Sequence, residues 1–350
     1  MCMPGQLIST IAGYVRAVPG TVNALSPLND SDMNSRKYKS RKWLNFIHSF
    51  LILAGMALIL CVLGWLVAGK AGIFWSLFIG LIVMIITSGI PPQAVLNMHN
   101  ARRLGFEQTP KLYQIINQLS KRAGLSFSPT LFYIPSQGIN AFSVGQSENA
   151  AIALTDGMLR SLNYREILSV LAHEISHIRN NDIWIMNLAE AAGKVTSLLS
   201  LTGQLLLLIN LPLILMEEYH ISWWIIAVLI FAPTLSTVMQ LALSRTREFE
   251  ADMDAAMLTN DPVGLAQALH KLENPPVSWL DKVVGRKRKS RVPSILLTHP
   301  RTEDRIERLI QMARDSEDRD HDHSFPVLPA DFVSDRLRMR PLKRLLRKWF

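Results

Sequence analysis

The chain has 350 residues, enough for one large catalytic domain or two small ones. Hydrophobic residues make up 49% of it and its mean hydropathy is positive. Because the apolar residues are gathered in a few blocks, the composition indicates a membrane protein rather than a soluble one. The two cysteines, Cys2 and Cys61, exclude a disulfide framework, which is typical of domains that face the cytoplasm.

Residues 1–42 are predicted to contain no cleavable signal peptide. Their mildly apolar stretch, from Leu7 to Leu25, is interrupted by Arg16 and Pro19. We therefore interpret residues 1–42 as an N-terminal cytoplasmic segment.

The first strongly apolar region is predicted to be a membrane hairpin. Two runs, Phe50 to Ala68 and Ile73 to Ile90, are separated only by the short segment Gly69–Gly72. Each run is close to the ~20 residues that a helix needs to cross a bilayer. The core of a soluble protein is the alternative, but neither run keeps a polar face. Residues 43–91 are therefore assigned to transmembrane hairpin 1.

A helix with chemically distinctive residues is predicted to begin near residue 163. Asn163 can cap its start, and Glu166 completes a capping box three residues later. Apolar residues then follow at helical spacing. Within this helix lies the sequence His173-Glu174-Ile175-Ser176-His177, which is an HExxH motif.

The spacing of the HExxH motif suits a catalytic zinc ion. His173 and His177 are four residues apart, so they share a helix face and can converge on one ion. Glu174 lies beside the first ligand, where it can reach metal-bound water and act as a general base. Two ordinary core or surface histidines are the alternative. Residues 92–190 are accordingly assigned to the first part of a catalytic domain.

A second pair of apolar runs, Val195 to Met216 and Trp223 to Leu243, follows the HExxH helix. Residues 191–243 are predicted to form transmembrane hairpin 2. Two polar residues and a proline interrupt the first run, so a helix packed against protein or lying shallow in the membrane is the alternative. The interrupting residues are Gln204, Asn210 and Pro212.

The positions of Lys and Arg predict the orientation in the membrane. Basic residues flank the outer ends of both hairpins, whereas the tips carry only Lys70. The flanking residues are Arg36, Lys37, Lys39, Arg41, Lys42, Arg102, Arg103, Arg245 and Arg247. Both termini and the catalytic segments are therefore predicted to be cytoplasmic, with the active site close to the bilayer surface.

A catalytic zinc ion needs a third protein ligand and one open position. After the second hairpin, Glu248 and Asp252 lie four residues apart on one helix face. One carboxylate can bind the metal while the other orients a ligand histidine. Glu250 points to nearly the opposite side and is interpreted as solvated or ion-paired. Spacing alone does not single out Glu248 among the glutamates of the chain.

Three segments in this order resemble the HtpX-like family of membrane zinc metallopeptidases, which is related to the CAAX prenyl endopeptidases. They are the HExxH motif, the second hairpin and the run Arg247-Glu248-Phe249-Glu250-Ala251-Asp252. The resemblance extends from about Arg36 to Met312.

This resemblance implies that His173, His177 and Glu248 bind one zinc ion and that Glu174 is catalytic. Asp252 matches the second carboxylate of the family, beside the metal. Residues 244–312 are accordingly assigned to the second part of the catalytic domain.

Weaker matches concern the substrate. Asn140 and Ala141 begin a stretch that resembles the family's segment beside the active site. Ala151–Thr155 is predicted to be a short strand, either an edge strand to which a peptide backbone could add or an ordinary core strand. Thr298-His299-Pro300, together with Arg305, resembles the family's His-Pro element near the end of the catalytic domain, and the residues considered for a role are His299 and Arg305. They could steady a developing oxyanion or position the substrate, or they could be structural.

Residues 313–350 are predicted to be a basic C-terminal tail. From Arg336 onward the tail has seven basic residues, no acidic ones and two terminal aromatic residues. Such a segment is typical of contact with anionic membrane lipids, and a solvated tail is the alternative. Nucleic-acid binding is not expected of a chain tied to a membrane.

The predicted fold class is α+β and mostly helical, an integral membrane protein with two transmembrane hairpins and a zincin-like metallopeptidase domain. We expect a zinc-dependent endopeptidase that cuts membrane or misfolded proteins at the cytoplasmic face, and the resemblance implies quality control in a bacterial inner membrane. A prenyl-protein endopeptidase is one alternative, although its relatives carry more spans. The others are a non-catalytic zinc scaffold or sensor, which would usually close all four metal positions, and a transporter, which would carry charges within a span.

Overall fold

The structure is a computed structural model that describes residues 34–88, 91–212, 223–273 and 302–317. Its helices are α1 (Asn34–Ser88), α2 (Pro92–Met98), α3 (Pro110–Arg122), α4 (Asp156–Ser161), α5 (Tyr164–Arg179), α6 (Asp182–Ile209), α7 (Trp223–Thr259), α8 (Pro262–Glu273) and α9 (Thr302–Glu317). Its strands are β1 (Arg102–Arg103), β2 (Thr130–Ile134), β3 (Ala141–Val144) and β4 (Ala151–Thr155). The described part is therefore mostly helical, with one small sheet.

Helix α1 contains a chain reversal. Its backbone leaves helical geometry at Ala68 and at Gly69, where φ is +58°. A Cβ atom on Gly72 would lie 1.9 Å from the carbonyl oxygen of Gly64. In a continuous helix these two residues would be about 12 Å apart along the axis. The two arms of α1 therefore run back along each other, and the reversal lies at the start of the predicted break.

Three helices of the described residues are long and apolar enough to cross a membrane, namely Trp43–Thr87 within α1, and the helices α6 and α7. They pack against one another through buried apolar residues and expose many large apolar side chains on the outside. Such an outer surface suits lipid, and the chain is an integral membrane protein.

The helix boundaries differ from the sequence-based ones. Residues 34–42, predicted to precede the first hairpin, are already helical. Helix α6 begins at Asp182, well before the predicted apolar run at Val195. Helix α7 continues beyond Leu243 to Thr259 without a break, although Pro233 lies inside it. The membrane-length helices are thus continuous with the segments that carry the functional residues.

The sheet has the strand order β1-β2-β4-β3. Strands β2 and β4 are parallel, with Thr130 opposite Ala151, and the other two pairs are antiparallel. Strand β4 lies between two neighbours and is buried at every position. The predicted strand Ala151–Thr155 is confirmed. Of its two alternatives the core strand is correct and the edge strand is wrong, because β3 pairs along its outer side. Within the described residues the edge strand on this side is β3.

The main core lies between this sheet and the helices α3, α5, α8 and α9. Its fully buried side chains include Ile116, Ile152, Met158, Leu171 and Ile175. Burying apolar area of this kind supplies most of the driving force for folding.

The start of α5 carries the predicted capping box, which is confirmed. The side chain of Asn163 accepts from the Glu166 amide at 2.9 Å, and the Glu166 carboxylate accepts from the Asn163 amide at 2.8 Å. The Nζ of Lys271 lies 2.7 Å from Glu166, which ties α8 to the same helix end. The orientation of α5 is thereby fixed at its first turn.

Candidate metal centre

The candidate metal centre lies where the helices α5, α6, α7 and α9 meet. Helix α5 is joined to α6 by the two residues Asn180 and Asn181, and Asn181 has a left-handed backbone with φ of 54°. Asparagine tolerates this conformation better than most residues. The Nδ2 of Asn180 donates to Asp254 on α7 at 2.8 Å. These contacts turn the chain sharply and hold the end of the HExxH helix against α7.

The structure brings together the three residues that the sequence proposed as ligands. The Nε2 atoms of His173 and His177 are 3.1 Å apart. Glu248 Oε2 lies 3.4 Å from His173 Nε2, and Glu248 Oε1 lies 3.7 Å from His177 Nε2. One ligand atom from each residue can be chosen so that all lie within 4.8 Å of one another. Glu248 is 71 residues from His177 in sequence, so only the packing of α5 on α7 makes them neighbours.

These separations can be tested against a bound ion. Zinc binds nitrogen and oxygen ligands at about 2.0–2.2 Å, so neighbouring ligand atoms of a tetrahedral site are roughly 3.3–3.6 Å apart. The three observed separations, 3.1, 3.4 and 3.7 Å, lie close to this range. Two imidazoles and one carboxylate are also a ligand set that catalytic zinc uses. The residues present therefore fit one zinc ion.

The other ring nitrogen of His173 faces a carboxylate. His173 Nδ1 lies 3.1 Å from Asp252 Oδ1, at a contact buried from solvent. Burial lowers the pKa of His173, but the contacts with Asp252 and Glu248 outweigh it and raise the pKa to about 10. A carboxylate in this position holds the ring so that Nε2 faces the metal site. One of the two carboxylates that lie four residues apart thus contacts a histidine of the HExxH motif, as their spacing allowed.

His177 has a corresponding partner that the sequence reasoning missed. Its Nδ1 lies 2.8 Å from Oδ2 of Asp182, the first residue of α6. Burial lowers the pKa of His177, and the hydrogen bond to Asp182 counteracts this and raises it overall. The sequence did contain a sign of this partner, namely an acidic residue five positions after the second histidine, at the start of the next helix. Recognising it required the turn at Asn181, which brings Asp182 back to the His177 ring.

Arg305 is at the centre of the site rather than at its edge. Its guanidinium group donates to both oxygens of Asp252, at 2.6 and 2.7 Å, and lies 3.0 Å from Glu248 Oε2. It also approaches His173 Nε2 at 3.5 Å. Burial lowers the pKa of Arg305, but the charges of Asp252 and Glu248 raise it overall. Both carboxylates are therefore held by one buried cation.

Glu174, the acidic residue of the HExxH motif, is buried, with 7% of its surface exposed. Its charge acts on the guanidinium group of Arg305, which places it among the charged groups of the site. Helix α5 thus contributes all three residues of the HExxH motif to one enclosed region.

The structure corrects the interpretation of Arg247. The sequence analysis counted it among the basic residues that flank a membrane span, which are normally solvated. Instead Arg247 is buried, and its Nη1 lies 3.0 Å from Glu250 and 3.4 Å from Asp182. Of the two readings of Glu250, the ion-paired one agrees with this contact, because Glu250 is buried as well.

The remaining predicted site residues lie farther out. The backbone of Asn140 exchanges hydrogen bonds with Thr155 at 2.8–3.1 Å, and Ala141 pairs with Leu154. Both residues therefore lie at the start of the edge strand β3, which contacts α5. His299 and most of the basic tail lie outside the described residues.

The fold and site together define a class of protein: a helical membrane protein with a buried metallopeptidase ligand set. The model of "Peptidase family M48" matches residues 107–313. A "Protease HtpX homolog" of Paraburkholderia phytofirmans is 31% identical over 293 residues, covering 77% of this chain and 98% of the relative. A "Protease HtpX homolog" of Streptococcus gordonii is 32% identical over 296 residues, covering 78% and 97%.

The chain therefore belongs to peptidase family M48 and is a membrane metallopeptidase. The resemblance to the HtpX-like family, which the sequence analysis based on the motifs, is confirmed. Among solved structures, the crystal structure of S. mikatae Ste24p is similar, with a TM-score of 0.44 and 21% identity over 76% of this chain and 66% of that one.

Proposed function

We propose that this M48 metallopeptidase is a zinc-dependent endopeptidase that hydrolyses membrane or misfolded proteins at the cytoplasmic face of a bacterial inner membrane. The observation that carries the proposal is the convergence of His173, His177 and Glu248 at separations that fit one tetrahedral ion. The names of the relatives, which describe proteases, agree with it.

The proposed roles follow from where the side chains lie. His173, His177 and Glu248 hold the ion, and Asp252 orients the ring of His173. A zinc ion held there supplies a Lewis acid that polarises a carbonyl group and makes water more acidic. Glu174 accepts a proton from the attacking water and returns it to the nitrogen of the leaving amine.

Arg305 is proposed to position ligands rather than to bind the substrate directly. Its donors are directed to Asp252 and Glu248 at 2.6–3.0 Å. A guanidinium group that holds two carboxylates in this way fixes the direction from which Glu248 reaches the metal.

A substrate backbone is proposed to pair with β3. This strand, Ala141–Val144, is at the edge of the sheet within the described residues and contacts α5, and its start is fixed by the hydrogen bonds between Asn140 and Thr155. Pairing with an edge strand uses main-chain hydrogen bonds, so it holds a peptide with little preference for its sequence. Unfolded segments of many proteins could therefore be accepted.

The location of the site supports substrates near the membrane. Helix α6 begins three residues after the HExxH helix ends, and α7 carries Glu248 on the same helix as a membrane-length apolar segment. Arg102, Arg103 and Arg245 are exposed beside the apolar segments, as the positive-inside rule expects of a cytoplasmic face. We propose two transmembrane hairpins on this basis. Contact of the tail with anionic lipids stays a prediction.

The proposal is tested by Glu174→Gln in the full chain, purified in detergent. Zinc content and cleavage of casein, an unfolded substrate, are measured together. We expect both forms to bind about one zinc ion, while cleavage falls by about 10²–10⁴-fold in the variant, because the general base is lost. Glu190→Gln is the matched control, since Glu190 is an exposed glutamate paired with Lys194 on α6.

If wild type and Glu174→Gln bind zinc and neither cuts casein or a membrane-protein substrate, the chain is a zinc scaffold and the proposed activity is wrong. If Glu174→Gln cuts as fast as wild type, the assignment of the general base is wrong.

A further inference from the structure

A buried arginine connects the first membrane-length helix to the metal site. Arg247 Nη2 donates to Ser49 Oγ at 2.6 Å and to the carbonyl oxygen of Asn45 at 3.4 Å, both on α1. Arg247 Nη1 lies 3.4 Å from Asp182 Oδ1 on α6 and 3.0 Å from Glu250 on its own helix. One guanidinium group thus contacts three helices, two of which carry no metal ligand.

Because the guanidinium group of Arg247 is buried, its charge has to be balanced by the contacts just described. Arg247 is 6% exposed, and Ser49, Asp182 and Glu250 are each 5% exposed or less. A charge removed from water is tolerated only when opposite charges and hydrogen bonds replace its hydration. The position of Arg247 is therefore set jointly by α1 and α6, and a shift of either helix must move it.

Asp182 connects Arg247 to the proposed metal ligand His177. Its two carboxylate oxygens have different partners, since Oδ2 contacts His177 Nδ1 at 2.8 Å and Oδ1 faces Arg247 at 3.4 Å. A carboxylate held on one side by a guanidinium group presents its other oxygen in a fixed direction. That oxygen keeps the proton of His177 on Nδ1 and leaves Nε2 free to bind a metal.

We infer that Arg247 is a positioning residue for the metal site, and that it makes the geometry of His177 depend on the contact between Asn45–Ser49 of α1 and the rest of the protein. This inference rests on the proposed function, because it assumes that His177 binds the metal. The first membrane helix, which contributes no ligand, then controls how well the ligand set is formed.

The experiment uses the full chain in detergent and compares Arg247→Met, Arg247→Lys and Ser49→Ala with wild type. Zinc affinity is measured by competition with a chelator, and the visible spectrum of the Co²⁺-substituted protein reports the ligand geometry. Ser76→Ala is the matched control, because Ser76 is also a buried serine of α1 that donates to a carbonyl of its own helix, at 2.9 Å, without contacting Arg247.

We expect Arg247→Met to weaken zinc affinity by about 10-fold, at the lower end of what loss of an outer partner of a ligand costs, and to alter the Co²⁺ spectrum. Arg247→Lys should recover part of the affinity, since it keeps the charge but cannot reach both sides at once. Ser49→Ala should weaken zinc affinity by about threefold, because the Asn45 carbonyl still holds the side chain. Ser76→Ala should leave affinity and spectrum unchanged.

The inference is wrong if Ser49→Ala and Arg247→Lys bind zinc as tightly as wild type with the same Co²⁺ spectrum, even when their melting temperatures fall. Arg247 would then hold helices together without positioning His177. That result leaves the proposed function intact. If wild type itself binds neither zinc nor Co²⁺, the proposed function fails and the inference fails with it.

Discussion

Each of the two histidines of the site contacts an aspartate, and each aspartate contacts a buried arginine. The two sets of residues differ in the helices that the arginine contacts. In the Arg305 triad, Arg305 contacts Asp252, which contacts His173. In the Arg247 triad, defined as Arg247, Asp182 and His177, the same residue types meet in the same order. In each triad, one carboxylate oxygen of the aspartate contacts Nδ1 of the histidine, and at least one of its oxygens contacts the arginine.

The difference lies in geometry and in the helices involved. Arg305 forms a two-pronged contact with Asp252 at 2.6 and 2.7 Å, entirely among helices of the peptidase part. Arg247 approaches Asp182 at 3.4 Å and shares its donors with Ser49 on the membrane helix α1. Two-pronged charge-assisted hydrogen bonds are the stronger and more directional kind. The ring of His173 is thus held by contacts between α5, α7 and α9, whereas the ring of His177 depends on a group that also contacts the membrane helix α1.

The largest expected effect that separates the triads is on stability. Arg305→Met leaves the carboxylates of Asp252 and Glu248 buried beside each other without their cation, so it should lower the free energy of unfolding by about 3–5 kcal/mol. Arg247→Met should cost less, since its contact to Asp182 is longer. Thermal unfolding of the metal-free proteins measures both. Equal losses would show that the two triads are energetically equivalent.

The next effect is on metal affinity. Asp252→Asn and Asp182→Asn each remove the carboxylate that orients one proposed ligand, and each should weaken zinc binding by about 10–100-fold. The loss should be larger for Asp252→Asn, because it also releases Arg305 from its two-pronged contact and leaves that guanidinium group beside Glu248. Chelator competition gives the two constants, with Asp156→Asn as a control, because Asp156 is an aspartate paired with Arg160 within α4. The comparison fails if Asp156→Asn weakens zinc binding as much as the other two do.

A smaller effect on stability tests whether zinc affinity depends on the contact between α1 and Arg247 or on the stability of α1 in general. Gly72→Ala places a Cβ atom against the Gly64 carbonyl and should destabilise the reversal of α1 by about 1–3 kcal/mol. Gly72 is far along α1 from Ser49, so zinc affinity of the folded protein should stay at the wild-type value. Gly69→Ala meets no atom within 4 Å, so its cost should be the backbone strain alone. We expect about 1–3 kcal/mol, because φ of 58° with ψ of −141° is a conformation that residues other than glycine rarely adopt. Weakened zinc binding in Gly72→Ala would mean that any disturbance of α1 reaches the site.

The smallest expected effect is a response to the lipid. Reconstitution in bilayers of different acyl-chain length changes the tilt of membrane helices at a cost of a fraction of a kcal/mol per Å of mismatch. Zinc affinity of wild type should therefore change slightly with bilayer thickness, and this dependence should disappear in Arg247→Met, which loses both contacts with α1. A dependence that is the same in both proteins would show that bilayer thickness acts by another route.

The sequence alone predicted those parts of the protein that depend on local spacing. The HExxH motif, the capping box at Asn163 and the apolar runs are properties of residues within a few turns of one another, because a helix relates positions three and four apart. The family was also recognisable, since its motifs lie in three short segments. Glu248 was reached through that resemblance, as no local pattern distinguishes it from other glutamates.

The tertiary structure decided what pairs with what across long separations. Asp182 and Arg247 are 65 residues apart, His173 and Arg305 are 132 apart, and Ser49 and Arg247 are 198 apart. Strand β4 became internal only because β3 pairs outside it. Whether a charged residue is solvated or buried depends on which helices cover it, and packing of whole elements determines that. For this reason a flanking arginine in the sequence became a buried contact between the membrane helices and the metal site.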